Sequence, residues 1–131
     1  MSSIYLKTFN QQFLQFLEDI LVVFPNDVDI MNMKNTINTV KKFNPSILIK
    51  IWYQYVWIPY NEQVMNDDIS FFVEKNYGED LKLLDEQQKT MDAIERLRIP
   101  IRNLNEDDQV KCMHYIKNLS LLSDKYISSK K

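Results

Sequence analysis

One glycine, Gly78, serves a chain of 131 residues. Tight hairpin turns place glycine at positive φ, so this chain is poorly supplied for a sheet of hairpins and points to helices instead. The four prolines, at 25, 45, 59 and 100, then act as punctuation. At this length the chain fits one domain with no internal repeat and no dividing linker. An apolar share of 45% with 12% aromatics suffices for a core without disulfide or metal.

Residues 3–24 read as a first helix: Leu6, Phe9, Phe13, Phe16, Leu17, Ile20 and Phe24 recur at steps of three and four, and Pro25 stops the run. Asp27 or Asp29 offers N-cap chemistry for a second helix to about residue 43, whose inward face is Ile30, Met33, Ile37 and Val40. Lys41 and Lys42 suit its C-terminal end.

Asn44-Pro45 reads as the start of a third helix, 45–58, with Asn44 as cap and Pro45 at the first helical position. Only Lys50 and Gln54 form a polar strip on it, with Trp57 at the edge. A helix apolar on most sides belongs at the centre of its domain. Pro59 ends or kinks it, and 60–66 reads as a short helix. Asp67-Asp68 can cap a segment over 69–75, whose form the sequence leaves open. Asn76-Tyr77-Gly78 is a loop. Asp80 caps a helix over 81–97 that Pro100 ends. Asn105, followed by Glu106, Asp107 and Asp108, starts a last helix with Val110, Met113, Ile116, Leu119, Leu122 and Tyr126 as its buried stripe. Residues 128–131 should fray. The expected fold is all-α, a compact bundle of about five to six helices around the aromatic-rich helix at 45–58.

No constellation in the sequence carries catalysis, a metal or a cofactor. Cys112 and His114 stand two apart on a helix and face different sides, and no further Cys or His completes a zinc site. The acidic groups at 27–29, 67–68 and 106–108 sit where helices begin, where an acid has a capping role. Two features stand as partner surfaces beside plainer readings, a core stripe for the aromatics and a solvated helix end for the arginines. One is the row Tyr53, Trp57 and Tyr60, set apart from the face of Leu48, Ile51 and Tyr55; tyrosine and tryptophan are favoured interface anchors. The other gathers all three arginines, Arg96, Arg98 and Arg102, whose planar forks suit carboxylates or phosphates.

The net charge of −2 and pI of about 5.4 disfavour general nucleic-acid binding. A single cysteine suits a reducing compartment. The N-terminus has no basic region ahead of an apolar run, so it does not read as a signal peptide. The longest apolar stretch, 47–58, is interrupted and too short for a bilayer. The expectation is an intracellular protein without membrane insertion, with self-association left open.

Several segments resemble a group of small proteins encoded by nucleocytoplasmic large DNA viruses of algae and amoebae. They are 9–19 (Phe-Asn-Gln-Gln-Phe-Leu-Gln-Phe-Leu-Glu-Asp), Val23-Phe24-Pro25-Asn26-Asp27, 48–53 (Leu-Ile-Lys-Ile-Trp-Tyr), Ile58-Pro59-Tyr60, Asp68-Ile69-Ser70-Phe71-Phe72 and 115–120 (Tyr-Ile-Lys-Asn-Leu-Ser). These are packing motifs spread over most of the chain. Abundant Asn, Ile, Lys and Tyr fit an A/T-rich genome of that kind. The resemblance implies a non-enzymatic viral protein of the infected-cell cytoplasm and its viral factory, with capsid or other viral proteins as partners and a place in the virion. The alternative is a host-directed or DNA-associated regulatory adapter.

Overall fold

The structure, a computed structural model, describes residues 2–73 and 97–129. The expected loop at 76–78, the cap at Asp80, the helix over 81–97, Arg96 and the last two lysines lie outside the described residues. Within them the chain is all-α, as expected: α1 (Ser2–Val23), α2 (Val28–Phe43), α3 (Ile47–Trp52), a π-helical turn (Tyr53–Trp57), α4 (Ile58–Met65), α5 (Ser70–Val73), α6 (Arg98–Arg102) and α7 (Glu106–Ser129). No helix among them is long and apolar enough to cross a membrane.

The caps follow the residues that offer them. Asp27 Oδ1 accepts the Ile30 N–H at 3.1 Å and starts α2. Asn105 Oδ1 accepts the Asp108 N–H at 2.8 Å, with three acids in the first turn of α7, satisfying donors that a helix start leaves open. Asp68 Oδ1 accepts the Ser70 N–H at 3.0 Å ahead of α5. Residue 44 departs from its expected role. Pro45 and Ser46 form a turn closed by the Ile47 N–H donating to the Asn44 carbonyl at 3.2 Å, Ser46 stands at the cap position, and α3 begins at Ile47. Ser46 makes no side-chain cap bond. Pro100 lies at the third position of α6, where its missing N–H has no intrahelical partner to lose; the 81–97 helix it was expected to end lies outside the described residues.

Phe9, Phe13, Phe16, Leu17 and Ile20 of α1 are all enclosed, and so is the predicted face of α2. Each such side chain contributes about 1.5–3 kcal/mol relative to exposure. On α7 four of the six expected stripe residues are buried and the stripe is wider on one side than expected. Val110 is exposed and Leu122 half-buried, while Cys112, Ser120 and Ser123 join Met113, Ile116, Leu119 and Tyr126 inside. The two serines are admitted because they are bonded: Ser120 accepts from Trp52, and Ser123 Oγ donates to the Ser120 carbonyl at 2.7 Å. A count of apolar residues alone misses positions of this kind.

Contacts fix the helix directions. Trp52 touches Phe9 and Phe13 of α1 and bonds Ser120 of α7, while Phe16 stacks on Tyr115. As α1 advances, its neighbours on α7 fall in number, so the two helices are antiparallel. The short turn at residues 24–27 sets α2 antiparallel to α1 in the same way. At the centre is Trp52, with Phe9, Phe13 and Phe72 around its ring and its Nε1 donating to Ser120 Oγ at 2.9 Å.

Candidate functional site

The aromatic segment takes an unusual backbone. Leu48, Trp52, Val56 and Val64 are enclosed, with half-buried Tyr60 between the last two, so the inward line runs at constant steps of four. In an α-helix of 3.6 residues per turn each step of four overshoots by about 40°, and the line would wind away from the core. The π turn absorbs the excess. The Ile58 N–H bonds the Tyr53 carbonyl, five residues back, and one extra residue is accommodated in the turn. Pro59 follows at once. It kinks the rod rather than ending it, with Tyr60 at φ −128° and ψ 22°, and helical structure resumes to Met65. The 45–58 helix is therefore longer and less regular than its sequence pattern implied.

Tyr53, Trp57 and Tyr60 are each half-buried. Trp57 packs one side against the core, and Tyr60 lies on Phe71 with centroids 4.9 Å apart. The row is thus a set of ring edges at the surface, not a free face. The exposed apolar residues on the same rod are Ile58 and Met65. Lys50 and Gln54 form the exposed polar strip that the sequence placed there.

The arginine segment is not a common surface. Arg98 is 1% exposed; its Nη1 donates to the Phe72 carbonyl, and its guanidinium carbon lies 4.1 Å from the centroid of the Phe72 ring. The cause is local: Leu97, Arg98 and Ile101 share one face of α6, and that face is buried. Arg102 is exposed, and Arg96 lies outside the described residues. Arg98 is consequently withdrawn from any phosphate or carboxylate of a partner. The signal was available in the sequence, because Arg98 stands three residues from Ile101 on an apolar stripe.

A second feature went unread in the sequence. A cleft of about 240 Å³ opens between the end of α1 and the start of α7, with Ile20 and Leu104 among its apolar lining and Asp19, Asp108, Cys112 and Tyr115 around them. Tyr115 OH donates to Asp19 Oδ2. Burial pushes the Cys112 thiol up to about 12, with the Asp108 and Asp19 charges adding to the effect. Tyr115 is likewise raised to about 12, by partial burial and then by its bond to Asp19. Both groups therefore hold their protons at neutral pH, and Cys112 is a packed thiol rather than a nucleophile. His114, on the opposite side of α7, is exposed. Asp19 and Tyr115 are 96 residues apart, and no local spacing links them. Among the described residues no three His, Cys, Asp or Glu side chains gather as a metal cage.

No protein-family model, curated protein or solved structure matches this chain.

Proposed function

We propose that this chain is a non-enzymatic interaction protein of a large DNA virus, made in the infected-cell cytoplasm and carried in the particle. The viral setting rests on the resemblance of the packing segments; the observation that carries the interaction role is the π turn, which holds Tyr53 and Trp57 half out of the core beside exposed Ile58. π turns recur at functional positions in helices. Aromatic edges beside an exposed aliphatic residue suit a protein contact, since such rings bury large area and keep a polar tip. With Arg98 turned inward, the partner surface is the aromatic rod and not the arginine segment.

Mass spectrometry of purified virions against infected-cell lysate tests the setting, with enrichment in virions expected. The surface is tested by a Trp57→Ala, Ile58→Glu double variant, which should lose incorporation while keeping a helical far-UV spectrum. A chain absent from virions, or a double variant packaged like wild type, would overturn the reading.

A further inference from the structure

The two ends of the helical array carry opposite charge, each with exposed apolar side chains. Because α1 runs antiparallel to both α2 and α7, the start of α1, the end of α2 and the end of α7 lie together. That end presents Phe43, 76% exposed, directly after Lys41 and Lys42. The opposite end holds the α1–α7 cleft. There Val22 is 80% exposed at the mouth, Asp19 and Asp108 line the opening, and Glu106 and Asp107 stand exposed beside them. Lys111 is the cation at this rim, 3.9 Å from Asp108.

Single exposed apolar residues are ordinary. These two features differ in being complementary. An apolar cavity of about 150 Å³ holds a benzene ring, so the cleft, at about 240 Å³, has room for one phenyl side chain. An aromatic knob beside cations fits an apolar cleft rimmed by carboxylates. The knob cannot fill its own cleft, because a helix the length of α1 separates them by roughly 30 Å.

We propose that the α1–α7 cleft receives Phe43 of a second copy of this chain, with that copy's Lys42 facing Asp19 and Asp108. The contact joins unlike surfaces, so a pair keeps one unused cleft on one copy and one unused knob on the other. Association is head-to-tail and continues into rings or open chains rather than stopping at a symmetric dimer. It uses neither the aromatic rod nor the arginine segment, so it stands or falls separately from the viral setting. One ring and a few rim charges bury far less than the roughly 1,600 Å² of a stable interface, so each contact is weak.

Sedimentation velocity of the full chain over a concentration series up to about 1 mM, in low salt, tests this directly. Wild type should form a growing series of species that shrinks at high salt, where rim charges are screened. Phe43→Ser removes the knob, and Val22→Lys places a cation at the cleft mouth. Both positions are largely exposed, so the fold should survive, as a thermal melt checks. Each variant alone should self-associate at least tenfold more weakly than wild type. Mixed in equal amounts they should form pairs and nothing larger, since one retains the cleft and the other the knob. A monomeric wild type would overturn the proposal, as would association that survives Phe43→Ser or a mixture that fails to pair.

Discussion

Trp52 and Trp57 stand five residues apart on one continuous rod and have opposite fates. Trp52 is wholly enclosed, ringed by Phe9, Phe13 and Phe72, with its indole N–H satisfied by Ser120. Trp57 is half-buried, one side on the core and one edge outward. Composition does not separate them, for both sit in an aromatic, β-branched stretch. The difference comes from the backbone between them. The inward line at steps of four passes through residues 52 and 56, and the π turn keeps it on the core, leaving Trp57 at its flank. A tryptophan becomes core when the phase of its helix, a set of facing rings and a partner for its N–H coincide. Trp57 meets the first condition only in part.

The sharpest test is stability. Trp52→Ala removes an enclosed ring and should cost about 3–5 kcal/mol in urea unfolding. Trp57→Ala, at the flank, should cost about 1 kcal/mol. Equal losses would mean that the two tryptophans are not distinct. A second test lies one layer out from Trp52, where Phe72 touches its ring and Arg98 covers Phe72. Arg98→Ala should cost about 2–3 kcal/mol, because a charge-assisted bond and a cation–π contact are lost together. Arg102→Ala, at an exposed position on the same short helix, should stay within about 0.5 kcal/mol. If the arginines exchanged these effects, Arg98 would not be part of the packing around Trp52.

What was legible in the sequence divides along the same line. The faces of α1 and α2, the caps at Asp27 and Asn105, and the central position of the aromatic segment were all readable, because they rest on local periodicity and local hydrogen bonding. Three things were missed. The serine flank of the α7 stripe was missed because its inward serines look polar until Trp52, from another helix, is seen to donate to one of them. The arginine segment reads as a patch when proximity in sequence is taken for proximity on a surface, whereas the α6 turn sends Arg98 inward. The α1–α7 cleft depends on residues far apart in the chain, joined only by antiparallel packing. The first and third are long-range contacts deciding what a local pattern left open; the arginine segment carried a local signal, the Arg98–Ile101 stripe, that its charge obscured.

A further small effect is the most specific to the π turn. If that turn exists to absorb one surplus residue, deleting a residue from it should be tolerated. Gln54 is exposed and lies inside the turn. Without it the inward line Leu48, Trp52, Val56, Tyr60, Val64 would run at steps of four, three, four and four, close to the 3.6-residue period of an ordinary α-helix. Both flanks keep their register, so the loss should be about 1 kcal/mol, with the helical far-UV spectrum retained. Deleting Asn118, an exposed residue of the regular helix α7, has no such slack. It rotates everything beyond it by about 100° relative to the core and should unfold the protein. Acrylamide quenching adds a local readout, since it reaches Trp57 and not the enclosed Trp52. In the Gln54 deletion the accessible fraction should change as the tightened turn swings Trp57 about the rod. If the Gln54 deletion unfolds the protein as the Asn118 deletion does, the turn holds no surplus residue. The separate fates of the two tryptophans would then need another cause.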